Sequence, residues 1–380
     1  MHVCLDYQPA VAQRAGIGRY TRQLARHLMP FFGPEDRLRL FYLDFFRRAE
    51  GPDVPGAEVH PWRLLPGALV QQLWKRAGLP AFDALAGAAD LYHFTNFIIP
   101  PLRRGKAVVS IHDMSFSRLP GCAETRNRAY LASRMAATLR RADAILTISH
   151  FSAGEIAALH PGTQGRIHVT YPGVDETFRR PPDDAIETFR RRRGLERPYL
   201  LSVGTIEPRK NFPLLVEAFD ALDRDDLDFV IAGRPGWHCE PILASFRQAR
   251  RARQIRHLDD VTDTELPALY AGARLFALAS RYEGFGLPPL EAMACGTPVV
   301  AAPAGAVAEV AGDAACLVAA DEPEAWRAAL AGLLEDPGRC AELVDRGRER
   351  VGRFRWPETA RQTWRVYRHV LGLPDGEGAG

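Results

Sequence analysis

The sequence predicts an α/β protein with two doubly wound domains, each a parallel sheet with helices on both faces. Short apolar runs alternate with segments of helical period, which is the pattern of βαβ units. A chain of 380 residues is too long for one core, at about 150 residues per domain. A proline- and charge-rich stretch at residues 172–198 is typical of a domain boundary. We therefore expect a deep cleft where the carboxyl ends of both sheets face each other, because ligands of such folds bind there.

The first half of the chain contains five strand candidates and two amphipathic helices. The strands are predicted at residues 2–7, 38–43, 90–95, 106–112 and 143–149. A helix is predicted at residues 16–29, where the apolar positions are Ile17, Tyr20, Leu24 and Leu28. In a later helix the apolar face is formed by Leu131, Met135 and Leu139, and the opposite, basic face by Arg126, Arg134, Arg140 and Arg141.

The second half repeats the alternation of strands and helices. Its strands are predicted at residues 199–204, 228–233, 255–259, 274–279, 297–302 and 315–319. Each is followed by a helical pattern, so a second parallel sheet is expected.

The charge of the chain is unevenly divided. Residues 1–190 hold 24 Lys and Arg against 18 Asp and Glu, a net +6, whereas residues 191–380 hold 25 against 28, a net −3. A basic first half could face phosphate groups or an anionic membrane surface. The alternative is a solvated face that happens to be rich in arginine. No nucleic-acid partner is predicted.

Cysteine usage and apolar runs indicate the compartment. The six cysteines lie far apart without a C-x-x-C pair, so neither a zinc site nor a disulfide framework is indicated and a cytoplasmic protein is expected. The N-terminal residues lack the pattern of a signal peptide. No run approaches the roughly 18 apolar residues that cross a bilayer, so membrane contact is expected to be peripheral.

The stretch "RYEGFGLPPLEAMACGTPVV" places Glu283 on a loop after a strand and Glu291 on the helix that follows. Pro288 and Pro289 suit the first turn of that helix, and Gly296 suits its end. Backbone N–H groups at the helix start can hold phosphate or sugar oxygens, and each glutamate can accept hydrogen bonds from a diol. The alternative is a capped helix whose glutamate favours its own dipole.

Two further stretches end strands with polar residues. In "LLSVGTIEPRKNF" the strand runs into Gly204, and Arg209 and Lys210 then precede a helix that Asn211 could cap, a suitable place for a diphosphate. In "VVSIHDMSF", His112 follows a strand of the first domain. A packed or solvated histidine is the alternative there.

Two other patterns have weaker implications. "AGIGRYT" imitates a dinucleotide fingerprint, but Thr21 replaces its third glycine and the turn lies about ten residues beyond its strand, so a nicotinamide-dependent oxidoreductase is only a remote alternative. The acidic "DRD" and "DLD" at residues 223–228 precede a strand rather than follow one. We expect a solvated acidic turn there, and no metal site.

Together these motifs resemble the retaining nucleotide-sugar glycosyltransferases of family 4, whose fold is called GT-B. The resemblance covers nearly the whole chain and includes "GIGRYT", "SIHDMSF", "LSVGTIEPRKN", "DVTDTELPALYAGARLFALAS" and "EGFGLPPLEAMACGTPVVA". It implies an acceptor-binding domain at residues 1–180 and a nucleotide-sugar-binding domain at 181–355. Residues 356–380 would form a helix that crosses back to the first domain, followed by a flexible tail.

The resemblance also implies roles for single residues. Glu291 would bind the ribose, Glu283 the donor sugar, and Arg209 with Lys210 the diphosphate. The predicted donor-binding residues are Gly16, Gly18, Gly204, Arg209, Lys210, Val261, Glu283, Gly284, Phe285, Gly286, Leu287 and Glu291. The predicted catalytic residues are His112, Arg209, Lys210 and Glu283. Asp259 stands where the family more often has glycine, which puts the base contacts near Val261 in doubt.

The implied reaction is metal- and cofactor-independent transfer of a hexose, with retention, to a glycan or polyprenyl-diphosphate-linked acceptor in polysaccharide biosynthesis. The wording of "LSVGTIEPRKN" is most similar to that of bacterial mannosyltransferases of surface-polysaccharide assembly, which favours GDP-mannose, while UDP-sugars and GDP-rhamnose stay open. The alternatives on the same fold are a nucleotide-sugar epimerase, a phosphorylase and a noncatalytic binding protein.

Overall fold

The computed structural model of the protein describes residues 1–13 and 16–374, which form two compact units. The first domain comprises Met1–Met114, Ala129–Gly173 and the chain from Arg355, and the second comprises Ser115–Arg128 and Val174–Phe354. The expected limit at residue 180 lies on a loop of the second domain, seven residues beyond this division. The end of the predicted flexible tail, residues 375–380, lies outside the described residues.

The first domain is built on a parallel sheet of seven strands in the order β3-β2-β1-β4-β5-β6-β7. The strands are β1 His2–Asp6, β2 Arg37–Leu43, β3 Glu58–Trp62, β4 Leu91–Phe94, β5 Lys106–Ser110, β6 Ala144–Thr147 and β7 Ile167–Val169. All five predicted strands are confirmed, and the sequence reasoning missed the two edge strands. Partly exposed β3 contains Pro61, and β7 has three residues, so neither shows a long apolar run.

The second domain has a parallel sheet of six strands in the order β10-β9-β8-β11-β12-β13. The strands are β8 Tyr199–Val203, β9 Asp228–Ala232, β10 Ile255–Leu258, β11 Leu275–Leu278, β12 Val299–Ala301 and β13 Ala315–Leu317. All six were predicted. Their central members are buried on both faces, as strands of parallel sheets usually are, and therefore read as continuous apolar runs.

The helices cover both faces of each sheet. In chain order they are α1 Gln8–Ala12, α2 Ile17–Leu28, α3 Gly67–Arg76, α4 Phe82–Ala86, α5 Ser115–Arg118, α6 Thr125–Arg141, α7 His150–Leu159, α8 Asp183–Arg193, α9 Phe212–Leu222, α10 Glu240–Gln248, α11 Leu266–Ala271, α12 Leu287–Ala294, α13 Val307–Ala311, α14 Pro323–Glu335, α15 Pro337–Val351 and α16 Trp356–Val370. In the described part of the chain, no helix is both long and apolar enough to cross a membrane.

The last helix, α16, completes the core of the first domain. Its Trp364 and Tyr367 are buried in the same apolar cluster as Leu24 of α2 and Leu40 of β2. The Tyr367 hydroxyl lies 2.6 Å from Nδ1 of buried His93 on β4. Since the sheet is connected to α16 by this buried hydrogen bond as well as by apolar contact, the C-terminal helix is an integral part of the first domain.

Each sheet has one point at which the strand order reverses. In the first sheet β1 lies between β2 and β4, and in the second β8 lies between β9 and β11. Loops after β1 and β4, or after β8 and β11, leave the sheet in opposite directions and open a crevice at its carboxyl edge. These two switch points are where functional side chains of each domain are expected.

Candidate active site

The loop after β8 is held in place by close backbone packing at the switch point of the second sheet. A Cβ atom on Gly233 would lie 1.9 Å from the carbonyl oxygen of Gly204, so a glycine is required there. Ile206 N–H donates to Arg234 O at 2.9 Å, which joins this loop to the loop after β9. The chain then makes one turn of 3₁₀-helix at Pro208–Lys210. Arg209 and Lys210 thereby reach the carboxyl edge of the sheet on a fixed backbone.

The loop after β11 carries Glu283 and is fixed by its neighbour after β12. Gly305 has a φ of +66°, and a Cβ atom there would lie 2.2 Å from the Glu283 carbonyl oxygen. That oxygen accepts a hydrogen bond from Ala306 N at 2.9 Å. Gly286, with a φ of +106°, then turns the chain into α12. The sequence reasoning missed Gly305, although Gly305 supports the backbone of a predicted site residue.

Side chains of these two loops form a buried charge cluster, which consists of Glu207, Arg209, Lys210 and Glu283. Lys210 Nζ lies 2.6 Å from Glu283 Oε1, and Arg209 Nη1 lies 2.9 Å from Glu283 Oε2. Arg209 Nη2 lies 2.5 Å from Glu207 Oε1. Ser280 Oγ also donates to Glu283 Oε1, at 2.6 Å. The structure therefore brings the predicted residues Arg209, Lys210 and Glu283 together and adds Glu207 and Ser280 to them.

The pKa values of the two carboxyl groups of the cluster are shifted in opposite directions. Burial acts to raise the pKa of Glu283, but Lys210 and Arg209 outweigh it and lower that pKa to about 2, so Glu283 is ionised at neutral pH. Burial raises the pKa of Glu207 above the ordinary value, although Arg209 and Lys210 oppose the rise. Glu207 Oε2 is buried without a hydrogen-bond partner among the described residues. When Glu207 holds a proton, the cluster has one more positive than negative charge.

Glu291 occupies the fifth position of α12 and is buried. Its Oε2 accepts a hydrogen bond from the hydroxyl of Tyr270, on α11, at 2.8 Å. Tyr270 contacts Phe276 at a ring-centroid distance of 5.6 Å, so the phenol is held by the core. The predicted ribose-binding glutamate is thus positioned by a tyrosine that the sequence reasoning did not identify.

The remaining predicted residues around α12 and β10 differ in what they can offer a ligand. Phe285 is buried against Phe354, at 5.5 Å between ring centroids, and Gly284 beside it is buried, so neither offers a polar side chain to a ligand. Leu287, the first residue of α12, is partly buried, as is Val261 on the loop after β10. Asp259 beside that loop is exposed.

Two predictions about helix ends have opposite outcomes. Gly296 follows α12 with a φ of +77°, and its N–H donates to Met293 O at 3.0 Å, so its role in ending that helix is confirmed. Asn211 stands at the N-cap position of α9, but its side chain makes no cap. With a φ of +55° the amide instead donates to Ala320 O at 2.7 Å. The prediction that Asn211 caps α9 was wrong, because its left-handed backbone directs the side chain elsewhere.

His112 lies two residues beyond β5 in the first domain and is buried. Its Nε2 is 2.8 Å from the carbonyl oxygen of Thr95, and its ring lies edge-on to Tyr20 at 4.8 Å. Burial lowers the pKa of His112, so the ring is neutral at neutral pH. Because a carbonyl can only accept, Nε2 carries the proton and Nδ1 is an acceptor.

Asp6 is a further residue at the first switch point that the sequence reasoning did not select. It ends β1, and its Oδ1 accepts the N–H of Gln8 at 3.1 Å. Removal from water raises the pKa of Asp6 to about 6, above that of an ordinary aspartate. Perturbed carboxyl groups at a strand end are typical of functional sites.

Gly16 and Gly18 have structural reasons of their own. Gly16 precedes α2 with a φ of +58°. A Cβ atom on Gly18 would lie 1.9 Å from Gln13 O and 2.9 Å from Pro9 O, so Gly18 permits α2 to lie against the end of α1. Both glycines are thus explained without a ligand, and an approach to phosphate stays a prediction.

The acidic turn before β9 is paired with arginines. Arg251 lies 2.5 Å from Asp223 and 2.6 Å from Asp225, and Arg224 lies 2.7 Å from Asp226. The turn lies at the amino end of β9, away from the switch point. Within residues 1–13 and 16–374, no three His, Cys, Asp or Glu side chains are grouped so that they could hold a metal ion.

Two parallel-sheet domains, with cations and a carboxylate at the switch point of the second, are the arrangement expected of a GT-B glycosyltransferase. Residues 14–178 match the model described as Glycosyltransferase Family 4, and residues 185–350 match the model described as Glycosyl transferases group 1. The O-antigen chain mannosyltransferase B of Escherichia coli is 31% identical over 382 residues, which cover 97% of this chain and 100% of that protein. The chain therefore belongs to the family 4 glycosyltransferases, as the motifs predict.

Solved structures show the same fold. A sucrose-phosphate synthase from Thermosynechococcus elongatus aligns over 98% of this chain and 99% of its own with a TM-score of 0.78 and 20% identity. Anabaena HepE in complex with UDP-glucose aligns over the same shares with a TM-score of 0.72 and 17% identity. At these identities the likeness concerns the fold alone, and the predicted GT-B fold is confirmed.

Proposed function

We propose that the protein is a retaining hexosyltransferase that takes mannose from GDP-mannose and attaches it to a hydroxyl of a glycan or polyprenyl-diphosphate-linked acceptor. The observation that carries the proposal is the charge cluster at the switch point of the second sheet, where Arg209 and Lys210 are held by Glu283. Mannose is supported by the likeness to the Escherichia coli protein, whose name is that of an O-antigen mannosyltransferase.

The cluster suits a leaving diphosphate. Breaking the bond between sugar and phosphate leaves an oxocarbenium-like sugar and adds negative charge to the diphosphate, so fixed cations lower the barrier. Lys210 donates one of its three protons to Glu283 Oε1 at 2.6 Å, and Arg209 is held on two sides by Glu283 and Glu207. Cations that are ordered before the substrate arrives do not have to be reorganised during the reaction, and such preorganisation is the main source of their catalytic effect.

The donor's other parts would be bound by groups near α12. Glu291, positioned by Tyr270 OH at 2.8 Å, would accept hydrogen bonds from the ribose hydroxyls. At the start of α12, the backbone N–H groups of Gly286 and Leu287 would bind anionic oxygens of the donor, since Pro288 and Pro289 have no N–H. In the first domain, neutral His112 would accept a hydrogen bond from a sugar hydroxyl through Nδ1.

Retention is proposed to proceed by attack from the face that the diphosphate leaves, with the leaving phosphate taking the acceptor's proton. Glu283 is a poor candidate for a nucleophile, because its carboxylate already binds Lys210, Arg209 and Ser280. We also propose that no metal ion takes part, since Arg209 and Lys210 supply positive charge at the diphosphate. The protein would act in the cytoplasm, as a peripheral protein at the inner membrane face.

A thermal-shift screen with nucleoside diphosphates tests the donor, since a ligand that binds only the native state raises the unfolding temperature. GDP is expected to give the largest shift, and a larger shift with UDP would contradict the assignment of the base. Nuclear magnetic resonance of the product would then report the anomeric configuration, where inversion would contradict the proposed mechanism.

The same incubations separate the alternatives. An epimerase would change the donor sugar without an acceptor, and a phosphorylase would require free phosphate. Binding without turnover across acceptors would favour a noncatalytic protein.

A further inference from the structure

Two loops of the first domain expose large apolar side chains together with arginines. The apolar-basic surface, as we call it, consists of Phe45, Phe46, Arg47, Arg48, Arg63, Leu64, Leu65 and Leu69. Half of the ten large hydrophobic residues that are exposed in the described chain lie on it. The most exposed among them are Phe46, at 65%, and Leu64, at 76%. Such a concentration in a soluble domain indicates an interaction site.

The sheet brings the two loops together. They follow β2 and β3, which are parallel neighbours with Leu43 opposite Trp62. Asp44 N–H donates to Trp62 O at 2.9 Å, just where the loops begin. Phe45–Arg48 and Arg63–Leu65 therefore leave the carboxyl edge of the sheet side by side, and Leu69 follows on the first turn of α3.

The exposure of the phenyl rings is imposed by the local structure. The buried carboxylate of Asp44 accepts the N–H groups of Arg48 and Ala49 at 2.8 and 3.2 Å and lies 3.5 Å from Arg63 Nη2. Arg47 at the tip of the turn adopts a φ of +54°, which is uncommon for any residue except glycine. Phe45 and Phe46 contact each other edge-on at 5.1 Å, and the Arg48 guanidinium lies over Phe46 at 5.2 Å. The turn is thus shaped so that both rings face outward.

The charges of the surface favour an anionic partner. The surface holds Arg47, Arg48 and Arg63 and no acidic residue. Neighbouring Asp44 is buried and paired with Arg63, and Glu50, two residues beyond Arg48, is exposed. Phenylalanine and leucine insert into the boundary between lipid headgroups and acyl chains, and arginines bind the phosphates above it. Three arginines beside exposed phenylalanine and leucine side chains fit the surface of an anionic bilayer better than a second protein.

The basic face of α6, the other candidate for membrane contact, is less suited. Arg134 donates to Lys75 O at 2.8 Å and Arg141 to Gly105 O at 2.9 Å, so two of its four arginines stabilise the domain itself. Arg126 and Arg140 are exposed, but no large apolar side chain of α6 is. The prediction that α6 is amphipathic with a basic polar face is confirmed. Most of the exposed large apolar side chains of the first domain, however, lie on the segments after β2 and β3 and not on α6.

We propose that the apolar-basic surface docks the first domain on an anionic lipid bilayer, with Phe46 and Leu64 inserted among the lipids and Arg47 and Arg48 on their phosphates. Only the biological role of this docking, which is to bring the enzyme to a lipid-linked acceptor, rests on the proposed function. Docking itself needs neither donor nor acceptor, so it can be measured apart from transfer.

Co-sedimentation with vesicles tests the docking. The full chain is expected to bind vesicles that contain phosphatidylglycerol and to bind pure phosphatidylcholine at least about tenfold more weakly, at about 0.1 M salt. Phe46→Ser with Leu64→Ser, and separately Arg47→Gln with Arg48→Gln, should each weaken binding to the anionic vesicles about tenfold or more. All four side chains are exposed, so circular dichroism should show an unchanged fold.

Matched controls remove the same groups elsewhere. Arg126→Gln with Arg140→Gln removes two exposed charges of α6, and Leu317→Ser removes an exposed leucine of the second domain. Both controls should bind anionic vesicles as the unchanged protein does. If Arg126→Gln with Arg140→Gln weakens binding as much as Arg47→Gln with Arg48→Gln, net charge alone explains it and the proposal is overturned.

Two other outcomes would also overturn the proposal. One is wild-type protein that stays in solution with anionic vesicles. The other is a dimer that the Phe46→Ser, Leu64→Ser variant converts to monomers in size-exclusion chromatography, since the surface would then be covered by a second copy. Hydrolysis of GDP-mannose by this variant should equal that of the unchanged protein. If neither the variant nor the unchanged protein hydrolyses GDP-mannose, the proposed function is contradicted, but the conclusion about vesicle binding is not affected.

Discussion

The two switch points differ in their electrostatics although the strand order around them is the same. Between β8 and β11, Arg209 and Lys210 form ion pairs with Glu283, with nitrogen–oxygen distances below 3 Å. At the first switch point the contacts involve hydroxyls, one carboxyl group and a neutral imidazole. Thr21 Oγ1 donates to Thr95 Oγ1 at 3.0 Å, Asp6 Oδ1 accepts the N–H of Gln8, and His112, on the loop after β5, donates to Thr95 O. One sheet edge holds an ion-paired cluster and the other separate polar groups, so topology places these side chains and the loop residues set their chemistry.

The largest effect is expected from Lys210→Ala, which removes a cation from the second switch point. Turnover should fall at least about a hundredfold, because one preorganised donor at a developing charge is worth roughly 3 to 4 kcal/mol. Steady-state kinetics measures the loss, and circular dichroism should show that the fold survives.

Lys106→Ala is the matched control for that change. Lys106 pairs with Asp143 at 3.1 Å on the surface of the first domain, and such pairs contribute little. Its turnover should stay within about twofold of the unchanged protein. Near-normal turnover of Lys210→Ala would remove Lys210 from the site.

A second prediction separates the two glutamates of the second domain. Glu291→Ala should weaken nucleotide binding about tenfold or more, as expected for lost hydrogen bonds to a charged group. Glu283→Ala should mainly impair turnover, because Glu283 orders the two cations. Calorimetric binding and turnover of both variants test this, and equal effects on binding would contradict the division of roles.

A smaller effect is expected at the first switch point. His112→Ala should reduce turnover by up to about tenfold, which is what the loss of one ordinary hydrogen bond of about 1.4 kcal/mol would cause. Because burial lowers the pKa of His112 below the ordinary value, the turnover of the unchanged protein should show no titration of this histidine between about pH 6.5 and 8. An inflection near pH 6.5 that disappears in His112→Ala would mean that His112 acts as an acid or base.

The two domains should also differ in how their stability depends on pH in the acid range. Burial lowers the pKa of His93 to about 3, so below about pH 6.5 the unfolded chain binds a proton that the folded domain does not. Stability should then fall by up to about 1.4 kcal/mol per pH unit between pH 6.5 and 3. Glu283, with its pKa lowered to about 2, loses its contribution only as the pH falls below about 4.5.

Thermal unfolding at pH 7, 6 and 5 measures this difference. His93→Gln keeps a polar side chain beside Ser110 and Tyr367 but cannot gain the proton, so its unfolding temperature should depend less on pH. The same slope in both proteins would show that His93 is not the group responsible.

Much of the fold was predictable because central parallel strands are buried on both faces and appear as continuous apolar runs. The edge strands β3 and β7 escaped because their exposed side lacks that pattern. In the site, the sequence identified Arg209, Lys210, Glu283 and Glu291 because each lies a few residues from a glycine in the segment that follows a predicted strand.

Residues that act across long sequence separations were not predictable in the same way. Tyr270 reaches Glu291 from another helix, and Gly305 supports Glu283 from the next loop. Glu207 stands beside a proline in a charged loop and would be expected in solvent, yet it is buried against Arg209. Asn211 has the residue type of a helix cap, but its backbone conformation gives its amide another partner.

The central claim, that Arg209 and Lys210 bind the diphosphate of the donor, is tested most directly by calorimetry with a nucleoside diphosphate and the matching monophosphate. The account predicts that the unchanged protein binds the diphosphate at least about tenfold more tightly, as expected for a charge-assisted contact, and that Lys210→Ala loses most of this preference. A preference that persists in Lys210→Ala would contradict the account.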